Sequence, residues 1–380
     1  MGSISAIHHI EFIVSNALQS AYWYCSSFGF QKFAERNTEV STSYALKNGT
    51  ARVIITSYNC ANVYTEQLIK HGDFIKDVAF RVDFLDGVLQ NLMENDIKVI
   101  QQGEIKTKEG LVRTATLLAD GSDVTHTLYE LGSFTGNFLP YFTPTANFEL
   151  FDRIERMPAI LMDHVVQNYP IGEMEAAADW YYKTMNLKRF WSVDDKVATS
   201  EFSAMSAWLL VNEDHTVQMT LAEGVKGRKG KSQIEVDTFL ICFESANDFF
   251  QEFISFHGGS GVQHFALLVD DIISAVQLMK TRSVEFLTIP GEYYNILEER
   301  LSRTNLNVKE DLKMIRKLNI LMDFDENGYL LQIFSKPMQD RPTLFIEIIQ
   351  RANFKGFGAG NFKALFDAVE REQEKRGTLF

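Results

Sequence analysis

Two stretches far apart in the chain are written to one plan. IHHIEFIVSNALQSAYWYCSSFGFQKF (Ile7 to Phe33) and MDHVVQNYPIGEMEAAADWYYKTMNLKRFW (Met162 to Trp191) each pass from alternating apolar residues through a 3.6-residue period to a stop, which predicts strand, helix, strand. A second pair repeats in the same order: IKDVAFRVDFLDGVLQNLMENDIKVI (Ile75 to Ile100) and VQHFALLVDDIISAVQLMKTRSVEFL (Val262 to Leu287). His9 stands opposite His164 in this alignment, and Asp77 opposite His264. Four such units in two pairs predict an α+β chain of two duplicated domains, each a curved sheet with helices on its outside and a cavity within. The first domain spans 1–145 and the second 158–380. Pro140 and Pro144 mark a linker from Thr143 to Met157, where periodicity lapses.

A net charge of −13 argues against a nucleic-acid or anionic-membrane surface. The one basic run, Lys226 to Lys231, is broken by glycines and reads as a solvated loop. Three cysteines in 380 residues form neither a disulfide framework nor a thiolate metal site, which fits a reducing compartment. The N-terminus has no signal-peptide pattern and no run approaches a membrane span, so a cytoplasmic protein is expected.

Three strand-like stretches of the second half carry a metal-competent side chain among apolar neighbours: His164 in MDHVV, His264 in VQHFA and Glu347 in LFIEII. A carboxylate in such a strand is costly unless paired or bound to a cation. Two histidines and one carboxylate from separate strands match the facial triad that holds non-haem Fe(II) with positions open. Zinc is the competing metal, although the helical HExxH spacing is absent.

With DHVV, RFWSVDD (Arg189 to Asp195), GGSGVQHFALLVDDI, YLLQIFSKPMQDRPTLFIEIIQR (Tyr329 to Arg351) and GFGAGNFKALF (Gly356 to Phe366) in hand, the chain resembles the 4-hydroxyphenylpyruvate dioxygenase family over nearly its whole length. The resemblance implies two vicinal-oxygen-chelate domains, each of paired βαβββ modules forming a curved half-barrel sheet, with only the second catalytic. It implies Fe(II) held by His164, His264 and Glu347, with 4-hydroxyphenylpyruvate and O2 as substrates. Gln233, Gln263, Gln332, Phe334 and Phe345 fall on its pocket positions, and Phe357, Asn361 and Phe362 on the C-terminal helix that gates the site. Phe362, Leu365, Phe366 and Val369 make one apolar helical face suited to that gating. A homodimer or tetramer is the family habit.

The chain departs from the dioxygenase pattern on one strand pair. Dioxygenases carry Pro-Ile-Asn-Glu-Pro beside an Arg-Ser pair; here stand Thr220-Leu221-Ala222-Glu223-Gly224 and Ser206-Ala207. Thr220 and Ala222 resemble the 4-hydroxymandelate synthase version, which implies 4-hydroxymandelate as product and the ubiquinone head-group route, in a branch whose animal members look mitochondrial. RFWSVDD and KSQI (Lys231 to Ile234) resemble the dioxygenase, whose product is homogentisate in tyrosine catabolism. An inactive, ligand-binding family member and an extradiol-type oxygenase are the remaining alternatives.

His9, Asp77 and Glu130 stand where the repeat puts the three ligands, although the family's first half binds no metal. One stretch lies outside the family pattern: Val236 to Gln251, VDTFLICFESANDFFQ. Without it the chain reads KSQIEEFISFHGGSGVQHF. A valine codon can begin GT, and Phe-Phe-Gln can be encoded as a pyrimidine run ending in CAG, so the segment reads as a retained intron, with a surface insertion as the alternative.

Overall fold

The computed structural model describes residues 3–193, 205–224, 249–356 and 358–377. In the first half the order is β1 (Ile4–Ile13), α1 (Ala17–Phe28), β2 (Gln31–Asn37), β3 (Ser41–Asn48), β4 (Ala51–Tyr58), α2 (Val63–His71), β5 (Phe74–Val82), α3 (Leu85–Glu94), β6 (Val99–Thr107), β7 (Gly110–Leu118), β8 (Thr125–Glu130) and a short β9 (Thr143–Pro144). The second half repeats it: β10 (Leu161–Tyr169), α4 (Met174–Met185), β11 (Lys188–Val193), β12 (Met205–Val211), β13 (Gln218–Gly224), α5 (Phe249–His257), β14 (Gly261–Leu268) and α6 (Ile272–Thr281). Two extra helices, α7 (Gly291–Leu301) and α8 (Leu312–Leu318), then precede β15 (Leu321–Phe324), β16 (Tyr329–Phe334), β17 (Phe345–Ala352) and a closing helix, α9 (Phe362–Arg376).

Local chemistry sets the element ends. The Asn16 side chain accepts the Gln19 N–H and opens α1, and Gly29 closes it at φ +69°. Each half folds into one curled sheet, in the orders β6-β7-β8-β5-β1-β4-β3-β2-β9 and β11-β12-β13-β10-β14-β17-β16-β15. At the centre of each, the leading strands of the two modules pair antiparallel, β1 with β5 and β10 with β14. Each leading strand pairs in parallel with the last strand of its own module. The strands that carry His164, His264 and Glu347, β10, β14 and β17, are therefore neighbours at the centre of the second sheet.

Residues 143–157, expected as a linker, are mostly exposed but are tied to the first half at several points. Thr143 and Pro144 pair with β2, Phe151 is buried, and the Asn48 amide holds both the Met157 carbonyl and the Ala159 N–H. The two halves also meet directly. Phe12 of β1 touches Phe265 of β14 edge to face, and His71 of α2 stacks on His257 of α5 with ring centroids 4.2 Å apart. His126 of β8 bonds the Tyr181 hydroxyl of α4 at 2.7 Å. The inserted-segment reading falls outside the described residues except at its last three positions, which open α5.

Candidate metal centre

Side chains alternate across a strand, and the register puts His164, Ala266, His264 and Glu347 on one face. His164 lies opposite Ala266, Ala266 opposite Glu347, and Val166 opposite His264. One ligand atom from each of His164, His264 and Glu347 comes within 4.8 Å of the others, and all three residues are buried. Glu347 Oε2 is 3.1 Å from His164 Nε2 and 3.4 Å from His264 Nε2.

The other ring nitrogen of each histidine is engaged. His164 Nδ1 donates to Asp163 Oδ2 at 2.8 Å, and His264 Nδ1 to Gln263 Oε1 at 3.0 Å. Both Nε2 atoms are thereby left to converge on Glu347, the arrangement in which an outer partner fixes tautomer and ring orientation for a metal. Asp163 is gripped in turn by Arg351 through two parallel bonds, Nε to Oδ1 at 2.8 Å and Nη2 to Oδ2 at 2.7 Å. Phe345 stacks on the His264 ring at 4.6 Å and Phe334 meets it edge-on.

Charge follows this geometry. Burial alone would lower the His164 pKa, but the Glu347 and Asp163 carboxylates lift it to about 9. Burial lowers that of His264, which Glu347 only partly offsets. Burial pushes the Glu347 carboxyl up, yet the two imidazoles hold it below its ordinary value. A buried carboxylate bonded to two imidazoles, each steered by a second group, suits a divalent cation with two nitrogen donors and one oxygen donor. No ordinary structural need calls for that set in an apolar sheet.

The centre opens on a cavity lined by Val166, Met205, Thr220, Ala222, Gln263, Gln332, Phe334, Phe345, Phe362 and Leu365. The centre of a water-sized sphere can range over about 40 Å3 within it. Among the described residues, Thr220 Oγ1, Gln263 Nε2 and Gln332 Oε1 are buried without a hydrogen-bond partner, so they are the polar atoms available to a ligand. Asn361, expected on the helix that gates the site, stands in the turn before α9, where its Oδ1 accepts the Tyr293 hydroxyl at 2.7 Å and its Nδ2 is buried without a partner among the described residues; it is not among the residues that line this cavity. Gln233 and Phe357 lie outside the described residues. Sequence reasoning missed Asp163 and Arg351, although a charge beside a candidate ligand in an apolar strand was signal enough to ask for its partner.

The first half carries the repeat-equivalent face but fills it differently. Asp77 lies opposite Thr125 in the parallel β5–β8 pair, so Thr127, not Glu130, takes the place of Glu347. The Thr127 N–H donates to Asp77, while Glu130 accepts from the Leu85 N–H and pairs with Arg113 at the outer end of the strand. The face also holds its own cation: Lys76 Nζ lies 3.2 Å from Glu11 Oε2, and the Thr56 hydroxyl donates to the other oxygen of that carboxylate. Burial, with Lys76 and two arginines nearby, lowers the His9 pKa to about 3. An ammonium built into the wall leaves no electrostatic case for a metal there.

The pattern of the Glyoxalase/Bleomycin resistance protein/Dioxygenase superfamily matches residues 161–297. A Caenorhabditis elegans protein whose name states no activity is 83% identical over 380 residues, covering all of both chains. The 4-hydroxyphenylpyruvate dioxygenase of Caenorhabditis briggsae is 42% identical over the whole of this chain and 95% of its own. Among solved structures, a triple mutant of 4-hydroxymandelate synthase from Streptomyces coelicolor superposes with a TM-score of 0.79 at 28% identity, covering 98% of this chain and 99% of that one.

Proposed function

This chain belongs to the 4-hydroxyphenylpyruvate dioxygenase family of non-haem iron oxygenases, and from that premise we propose that it holds Fe(II) on His164, His264 and Glu347 and oxidatively decarboxylates 4-hydroxyphenylpyruvate with O2. The observation that carries this reading is the convergence of the three side chains at one end of a cavity that α9 covers.

Iron(II) in that site supplies a Lewis acid for the 2-oxo acid and electrons for O2. The chain's own residues hold, aim and shield. Asp163 and Gln263 keep the imidazoles turned toward the centre. Phe334 and Phe345 form an apolar wall for an aromatic ring, while Gln263 Nε2 and Gln332 Oε1 offer polar contacts. Phe362 and Leu365 of α9 keep water out.

Thr220 and Ala222 support 4-hydroxymandelate as the product. They line the cavity where the dioxygenase pattern has proline and asparagine, so no amide from that strand fixes the far end of a ring. Ala207 pairs with Ala222 across β12 and β13 and does not reach the lining. The 42% identity to a protein named as the dioxygenase favours a second reading, homogentisate. Incubating Fe(II)-loaded protein with 4-hydroxyphenylpyruvate and O2 and separating the products by chromatography is expected to give mainly 4-hydroxymandelate; homogentisate alone would overturn that preference.

A further inference from the structure

We propose that Arg351 joins the metal centre to the closing helix, so that ligation through His164 and closure of α9 are coupled; the inference rests on the metal reading above. Arg351 lies four residues beyond Glu347 on β17, and alternation keeps the two on one face. Its fork crosses β14, the strand between β17 and β10, to grip Asp163, which orients His164. Its remaining terminal nitrogen, Nη1, donates to the Gly356 carbonyl at 2.6 Å and to the Phe354 carbonyl at 3.3 Å, in the loop that leads to α9. One planar guanidinium thus touches the residue behind a ligand and the backbone of the lid hinge. Its donors share a rigid frame, so a turn at Asp163 is transmitted to the two carbonyls.

The other hinge anchors stand away from the ligands. Asp323 of β15 accepts the Gly360 N–H at 3.0 Å, and Tyr293 of α7 donates to Asn361. Among the described residues, Arg351 is the hinge anchor that also reaches the metal side. A lysine cannot replace it, because an ammonium cannot hold a bidentate carboxylate and two carbonyls at once. Arg351 is a positioning residue: it acts through Asp163 and the hinge.

Cobalt(II) is the probe, with its affinity read by calorimetry and the lid by amide hydrogen exchange across Phe362–Arg376. In the unaltered protein, saturating Co(II) is expected to slow exchange in α9. Arg351→Lys is expected to weaken Co(II) binding about ten- to a hundredfold and, at saturating Co(II), to abolish the slowing. Asp323→Asn loosens the hinge from the far side. It is expected to speed α9 exchange and to weaken Co(II), because coupling between two sites is reciprocal. Equal slowing of α9 by saturating Co(II) in Arg351→Lys overturns the coupling, as does an Asp323→Asn protein with a loosened lid and unchanged affinity. Should Arg351→Lys fail to fold, the Asp323→Asn arm decides alone. Absence of Co(II) binding in the unaltered protein overturns the metal reading itself, which separates the two failures.

Discussion

His164 carries a proton that a metal must displace. Its folded pKa of about 9 lies above the ordinary value of 6.5, so the metal-free native state binds the extra proton between those limits. The sign follows: this contribution to stability is fully present below about pH 6.5 and is lost as pH rises through about 9. Metal affinity runs the opposite way, and Co(II) binding is expected to tighten by up to about tenfold per pH unit across that window, as calorimetry at several pH values would read. Glu347→Gln is expected to weaken Co(II) at least about a hundredfold and also to destabilise the metal-free protein at neutral pH, because it removes the carboxylate that pairs with the protonated His164; thermal melts with and without metal check both. The grouping of His164, His264 and Glu347 was legible in the sequence because each interrupts an apolar strand. The Asp163–Arg351 pair, 188 residues apart, was not, since nothing in strand order along the chain says that β14 alone separates β10 from β17.

At the scale of the element, α9 decides access. Phe362 and Leu365 line the cavity beside Phe334 and Phe345, so α9 is the described element placed to move aside when a ligand enters. The hinge is tightly specified. Gly358 sits at φ +82°, and a Cβ there would run into the Gln332 amide that faces the cavity. Gly358→Ala is expected to cost about 1–2 kcal/mol of backbone strain and to lower kcat/KM by about tenfold or more, with binding of metal alone changed less; steady-state kinetics beside calorimetry separates the two. The apolar stripe of α9 was readable from its spacing, and the GFGAGN glycines were readable as a hinge. The place of Asn361 was not: its bond to Tyr293 depends on α7, which breaks the repeat and leaves no counterpart in the first half to copy from. Glu130 was misread for a related reason, since register is set by strand pairing, whereas the connections ahead of each module's final strand differ in length between the halves.

Across the whole molecule, buried histidines divide by sign. Burial lowers His9 to about 3, His126 to about 4 and His257 to about 3, with like charges adding to the first and last. Each therefore contributes stability that is present above about pH 6.5 and lost as pH falls toward its folded value. Set against His164, this predicts that metal-free protein is most stable near neutrality and weakens on both flanks, each titrating histidine adding up to about 1.4 kcal/mol per pH unit; urea melts from pH 4 to 9 read the profile. The duplication that organises these groups was visible as repeated periodicity, but the burial of His257 against His71 belongs to the contact between halves, which no repeat encodes. The Lys76–Glu11 pair has a last consequence. The first half carries its counter-charge on a lysine, whereas in the second Glu347 faces His164, whose proton leaves as pH rises through about 9. A divalent metal is therefore expected to protect the second half from proteolysis more than the first, and increasingly so toward that pH, with limited digestion in the presence and absence of Co(II) as the readout.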